Sequence, residues 1–330
     1  MQQLPPEQAP LTMPTRHRFI ANKSLNAYQA LTSLASSTAH VFKRPPQMSE
    51  TIDIVVNPLS AHTGAEILNV DLSRPVDAAL RQKLNDAFIK HTVLAIRGQK
   101  LDPHQFLAAA QVFGTIFPQH NTRFSVPECP DIHYISNQDT FEDGKVYIPG
   151  EGYHTDHSND AQPPKATVLH AVKLPKTGGD TQFVNMYEAY DALSQTMKAR
   201  IDKMQAVHVY QSSFSTRKLM ALKDETKTKA TAEVIHPLVR THPISGRKAL
   251  YINPIRIERI IGIEREETAP LLDDLLEHAT QDRFQYRHKW LEGDMVIWDN
   301  RCLMHKANGD YPVAEVRYLY RLMLQGGTPA

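Results

Sequence analysis

The sequence predicts a mainly β protein with peripheral helices (α+β), its strands arranged as a jelly-roll-like double-sheet barrel. Three observations lead there. Short apolar or alternating runs recur along the chain, each closed by a turn signal. The helical periodicities are grouped rather than alternating with strands, which argues against a doubly wound parallel sheet. No internal repeat is visible, and 330 residues at 41% hydrophobic and 22% charged suffice for one large core.

Residues 1–47 stand apart. They hold one acid, Glu7, against Arg16, Arg18, Lys23, Lys43 and Arg44, with prolines and a scatter of serines. That composition fits a disordered extension, a start upstream of a natural Met48, or a mitochondrial transit peptide. The expected location is cytoplasmic, or mitochondrial if 1–47 is a transit peptide. The folded domain is expected over 48–330.

From 51 onward the elements follow in order. Residues 51–57 and 64–70 alternate as strands. Asp71 or Ser73 offers an N-cap, with Pro75 in the first turn and Leu80, Leu84, Ala87 and Phe88 at helical spacing. Residues 92–96 form a short apolar strand, and Asp102-Pro103 opens a second helix that Gly114 ends. Strands are expected at 131–136 and 166–172. The Gly178-Gly179 pair then makes a tight turn into a strand at 181–184. Two short helices (186–204) and a strand (206–210) precede a polar, Lys-rich stretch, 213–233, whose length suggests either a lid or a solvated insertion. Short strands at 238–241, 249–253, 284–290, 294–298 and 316–324 complete the set. One helix, burying Leu271, Leu272, Leu275 and Leu276, interrupts them.

Net charge is +1, which gives no reason to expect nucleic acid or an anionic membrane as partner. Two cysteines, Cys129 and Cys302, cannot build a disulfide framework or a Cys-based zinc site. No apolar run is long enough to span a bilayer, so a water-soluble protein is expected.

Chemistry enters at Gly152-Tyr153-His154-Thr155-Asp156. On a strand His154 and Asp156 would share a face, giving two-thirds of a facial metal triad of the non-haem Fe(II) type. Chance supplies about one or two such triplets in a chain this rich in His, Asp and Glu, so the motif needs a partner. His305, shortly after a strong apolar run, is the candidate third ligand. In 316–324, Arg317 and Arg321 share a face with Leu319 and Met323 on a strand that reads as buried on both sides. A buried guanidinium needs an anion. The local sequence offers only Glu315, so bound carboxylates or sulfonates are candidates, as are Asp or Glu from other segments.

These pieces resemble the taurine dioxygenase and 2,4-dichlorophenoxyacetate dioxygenase family of Fe(II)/α-ketoglutarate-dependent oxygenases. The resemblance is carried by His154-Thr155-Asp156, Leu174-Pro175-x-Thr177-Gly178-Gly179-Asp180-Thr181, Trp298-Asp299-Asn300-Arg301, His305 and the Arg317/Arg321 pair. It implies a double-stranded β-helix with His154, Asp156 and His305 as Fe(II) ligands. It implies that Arg317 and Thr181 bind the distal carboxylate of α-ketoglutarate, which is decarboxylated to succinate with O2 while a substrate C–H is hydroxylated. Arg321 matches the position that grips the substrate's sulfonate or carboxylate, and Ser213, Phe214 and Asn121 fall at pocket-lining positions. Arg256 is a departure: the taurine enzyme has an aromatic wall there, and a second cation disfavours taurine and favours a larger or doubly anionic acid. The implied partner is a small organic acid of the sulfonate, sulfate ester or aryloxyalkanoate class, in a homo-oligomer (dimer or tetramer). A zinc hydrolase or a non-catalytic anion-binding barrel on the same scaffold is the alternative.

Overall fold

The structure, a computed structural model, describes residues 53–119, 122–140, 149–215, 219 and 232–330. The 1–47 extension, Asn121 and most of the 213–233 stretch therefore lie outside the described residues. Sixteen strands are described. The first six are β1 (Val55–Pro58), β2 (Ala65–Leu68), β3 (Val93–Ile96), β4 (Ser125–Val126), β5 (Cys129–Ser136) and β6 (Ala166–Lys173). The next six are β7 (Thr181–Asn185), β8 (Gln205–His208), β9 (Val234–Pro237), β10 (Val239–Thr241), β11 (Lys248–Leu250) and β12 (Ile257–Ile260). The last four are β13 (Gln285–His288), β14 (Met295–Asp299), β15 (Leu303–Ala307) and β16 (Tyr318–Leu324).

Eight of them form one large sheet in the order β1-β2-β3-β14-β6-β16-β5-β4. Two three-stranded sheets, β13-β7-β15 and β12-β8-β9, and the β10-β11 hairpin accompany it. The pairings are antiparallel except β2 with β3. The architecture is mixed but mainly sheet, and the hydrogen-bonded strands do not close into a barrel among the described residues.

The period-2 alternation assigns each face of the large sheet. Leu94, Ile96, Val168, Met295, Ile297, Leu322 and Leu324 belong to one apolar cluster. They pack with two helices, α1 (Ala78–His91) and α2 (Pro103–Gln111). Val93, Ala95, Leu169, Ala171, Val296, Trp298 and Leu319 face the other way and join Phe183, Val184, Leu303 and Met304 of the small sheets in a second cluster. Three more helices follow: α3 (Met186–Asp191), α4 (Gln195–Ile201) and α5 (Arg265–Ala279). Helix α5 buries Leu271, Leu272 and Leu275 in the second cluster, and Leu276 packs at its edge.

The helix starts show how local chemistry sets boundaries. Asp102 and Gln105 cap α2 reciprocally: Asp102 Oδ1 accepts from Gln105 N at 2.8 Å and Gln105 Oε1 from Asp102 N at 3.0 Å, with Pro103 in the first turn. The start of α1 corrects the sequence reading. Its N-cap is Asp77, accepting from Leu80 N at 2.7 Å. Asp71 instead accepts from the Ser73 amide and hydroxyl in a local turn. Both cysteines are unpaired and buried, and among the described residues no helix is long and apolar enough to cross a membrane.

One buried ion pair braces the junction of β14 and β15. Arg301 donates to Asp299 through Nε (2.8 Å) and Nη2 (2.6 Å), and His242 Nε2 lies 3.1 Å from Asp299 Oδ2. Burial pushes the Asp299 carboxyl up, but Arg301 and His242 outweigh it and hold it below the ordinary carboxylate range. A depressed carboxylate stabilises the fold fully above its unfolded value of about 4 and loses that contribution as pH falls. Asp299→Asn should therefore cost about 3–5 kcal/mol in urea unfolding at neutral pH, with the deficit shrinking in acid. An unfolding midpoint within error of wild type at neutral pH would contradict this role.

Candidate active site

His154 and His305 meet through the backbone. His154 N donates to His305 O (3.0 Å) and His305 N to His154 O (2.9 Å), an isolated antiparallel bridge. Directly paired residues place their side chains on one side, and the two rings lie 4.3 Å apart between centroids. This corrects the expected strand over His154–Asp156. Only His154 is bridged, and Asp156 sits in a turn in which His157 adopts a left-handed φ of 46°. The turn, rather than strand alternation, swings the carboxylate back towards the imidazoles.

The three side chains offer ligand atoms that all lie within 4.8 Å of one another. Asp156 Oδ1 is 3.9 Å from His154 Nε2, and Oδ2 is 3.7 Å from His305 Nε2. His154 Nδ1 lies 2.9 Å from Gly152 O. A carbonyl only accepts, so Nδ1 carries the proton and Nε2 presents its lone pair. Two neutral imidazoles and a carboxylate suit a divalent transition metal.

Asp156 is 8% exposed. Burial alone would raise its pKa, but the Arg321 guanidinium, ahead of the histidines in their protonated form, holds it below the ordinary carboxylate range. Arg321 Nη2 donates to Oδ1 at 3.0 Å, and Thr167 Oγ1 donates to Oδ2 at 2.6 Å. Asn300 Nδ2 donates to Thr167 Oγ1 (2.9 Å), and Trp298 Nε1 to Asn300 Oδ1 (3.0 Å). A chain of donors thus runs from the β14–β15 turn to the carboxylate.

The two arginines expected on the last strand part company, because β16 begins at Tyr318 and only Arg321 lies on it. Arg321 has a protein counter-charge, Asp156, drawn from 165 residues away, whereas the Glu315 carboxylate accepts from Lys176 N instead. Arg317, just ahead of β16, has no carboxylate within 4.0 Å among the described residues. Its Nε donates to Gly179 O at 2.9 Å, and burial pulls the guanidinium down to about 10, partly offset by Tyr311 and Asp180. A Cβ at Gly179 (φ +71°) would come 3.2 Å from Arg317 Cδ and Nε, so this approach favours glycine.

Thr181 follows two residues later on β7. Its partner on β15 is Ala307, and Phe183 pairs with His305, so Thr181 shares the face of His305 one step along the ladder. Its hydroxyl accepts from Trp290 Nε1 at 3.0 Å.

Arg256 Nη1 donates to Tyr210 O at 2.6 Å. Arg256 and Arg321 both contribute, behind burial, to holding the His157 imidazole down at about 3. Ser213 is exposed and donates to Glu258 Oε1 at 2.7 Å, and Phe214 lies under the Arg265 guanidinium, so both rest against β12 and α5.

Comparison with known proteins decides the family. The model of the Taurine catabolism dioxygenase TauD, TfdA family matches residues 56–323. The chain belongs to that family. It is 33% identical over 288 residues to an alpha-ketoglutarate-dependent 2,4-dichlorophenoxyacetate dioxygenase of Cupriavidus pinatubonensis, covering 82% of this chain and 97% of that one. It is 30% identical over 284 residues to an alpha-ketoglutarate-dependent sulfate ester dioxygenase of Pseudomonas putida, covering 84% and 91%. The crystal structure of AAD-2 in complex with Mn(II) and N-oxalylglycine superposes with a TM-score of 0.72 at 30% identity, covering 84% of this chain and 99% of that one.

Sequence reading missed Thr167 and gave Trp298 and Asn300 no role. The signal was present as the Trp298–Arg301 motif, but its link to Asp156 exists only once β6 and β14 are paired. Thr167→Val should cost about 1–3 kcal/mol in stability, because Asp156 Oδ2 and the Asn300 amide both lose their partner. Denaturant unfolding of the metal-free protein checks this, and a neutral substitution would refute the donor chain.

Proposed function

We propose that this TauD/TfdA-family protein is an Fe(II)/α-ketoglutarate-dependent dioxygenase that hydroxylates a C–H bond of a small organic acid. The observation that carries the reading is the convergence of His154, Asp156 and His305, with the Gly152 carbonyl setting the His154 tautomer. These three residues would hold the iron. When bound, Fe(II) with α-ketoglutarate and O2 supplies the oxidative decarboxylation to succinate and CO2 and the hydroxylation of the substrate.

The protein's own residues bind, orient and exclude water. The Arg317 guanidinium, buried with no carboxylate within 4.0 Å among the described residues, would bind the distal carboxylate of α-ketoglutarate together with Thr181. Arg321 spends Nη2 on Asp156, and a guanidinium carries five donors, so it can also hold the substrate's anion beside the metal ligands. Arg256 adds a second cation. It disfavours an amino-sulfonate such as taurine and favours a sulfonate, sulfate ester or aryloxyalkanoate, the acids named for relatives of this chain. Hydroxylation next to oxygen or sulfur gives a product that fragments, as suits organic acid catabolism. Ser213, Phe214 and Asn121 are assigned to the substrate side.

In this reading the large sheet and the β13-β7-β15 sheet are the two faces of a double-stranded β-helix (jelly-roll) over 48–330. The enzyme acts in the cytoplasm as a dimer or tetramer, with neither nucleic acid nor membrane as partner.

Succinate formation from α-ketoglutarate, with Fe(II), ascorbate, O2 and a panel of these acids, tests the activity. No acid-stimulated succinate would overturn it. His154→Ala should abolish turnover with the fold retained. Arg317→Gln should raise the KM for α-ketoglutarate on the order of 100-fold, within the cost of removing one partner of a buried charge pair; an unchanged KM would remove Arg317 from the co-substrate site.

A further inference from the structure

A second cationic cavity, of about 360 Å³, lies away from the metal ligands and the Arg317/Arg321 pair. Lys165, Arg240 and Arg301 line it together with residues 325–328 and Ala330. The C-terminal segment is tied down as its wall: Thr241 N donates to Ala330 O at 2.6 Å and Gln325 N to Thr115 O at 2.8 Å.

Three cations line this cavity, Lys165, Arg240 and Arg301, against two negative groups of the described residues, the Asp299 carboxylate paired with Arg301 and the carboxyl end of Ala330 in the wall. Arg301 is answered by Asp299 through two hydrogen bonds, and Asp299 is also shared with His242. Arg240 is only 4% exposed, yet it has no carboxylate within 4.0 Å among the described residues. Among the described residues its Nε has no hydrogen-bond partner. Its neighbour is the Tyr251 ring, 4.7 Å from the guanidinium carbon. Half-buried Lys165 likewise has no carboxylate within 4.0 Å among the described residues. An aromatic face contributes about 2 kcal/mol to a desolvated cation, against several kcal/mol for burying the charge. A guanidinium so placed calls for an anion, and the cavity gives it room.

We propose that this cavity is a binding site for a small oxyanion, distinct from the metal centre. Arg240 supplies planar N–H donors and Lys165 a compact charge. Arg301, already engaged by Asp299, adds positive potential to the lining. That mixture suits the several oxygens of a phosphate or sulfate, or the carboxylate of a small acid.

Isothermal titration of the full chain with inorganic phosphate, sulfate and succinate in turn tests the site. At least one should bind saturably, and the same ligand should raise the Tm of the wild type. Arg240→Gln and Lys165→Met should each weaken that binding on the order of tenfold or more. A binding event that both cavity substitutions weaken should persist in Arg317→Gln and Arg321→Gln, which remove only the anion contacts beside the metal ligands. If Arg240→Gln does not fold, Lys165→Met at a half-buried position still reads the site. Whichever anion binds tightest identifies the class, phosphate or sulfate marking a tetrahedral oxyanion and succinate a carboxylate. No saturable binding, binding indifferent to both cavity substitutions, or binding lost in Arg317→Gln would overturn the proposal.

Discussion

An ionised carboxylate buried between a guanidinium, a threonine hydroxyl and two imidazoles is the constraint on which the rest of this molecule depends. Left alone at its depth, Asp156 would take up a proton and cease to be a metal ligand. Arg321 from β16 and Thr167 from β6 keep it charged and fix both oxygens. Those strands are neighbours at the middle of the large sheet, and β14 adjoins β6 on its other side. The sheet order is therefore what brings Arg321, Thr167 and, through Asn300, the end of β14 to one carboxylate. The second half of the site arrives from the small sheet, where β15 presents His305 and bridges to His154.

The interior arginines divide into two kinds. Buried Arg301 and partly buried Arg321 have carboxylates from the chain itself. Arg317 and Arg240 are equally deep and have none within 4.0 Å among the described residues. Because an unanswered buried charge costs several kcal/mol, its persistence points to an anion that is not part of the polypeptide. Arg317 lies beside Gly179, where a Cβ would crowd the arginine side chain and the positive φ favours glycine. The same physical test, applied to both, gives one assignment at the metal centre and one away from it.

How much of this was legible in sequence follows from the range of the interactions. The α2 start was readable because Asp102, Pro103 and Gln105 act on one another within a single turn. The α1 start was not, because Asp71, Ser73 and Asp77 are all competent caps and only packing of Leu80 and Leu84 chooses among them. His154 and Asp156 were legible as a pair, but the geometry joining them was not. A bridge followed by a left-handed residue at His157 leaves the same residue spacing as a strand. The partner of Arg321 was invisible locally, since Asp156 lies 165 residues away, as was the Asn300–Thr167 bond, which spans 133. The ligand types, the arginine pair and the glycine turn were all in the sequence; which atoms they face depends on strand order.

The central claim is that His154, Asp156 and His305 form one iron site at which α-ketoglutarate also binds. The most direct measurement is an anaerobic titration of the full chain with Fe(II) in the presence of α-ketoglutarate, followed by visible absorption. A metal-to-ligand charge-transfer band should appear that saturates with iron, is absent in His305→Ala, and is perturbed when the organic acid substrate is added. Absence of the band in the wild type, or an undiminished band in His305→Ala, would contradict that claim.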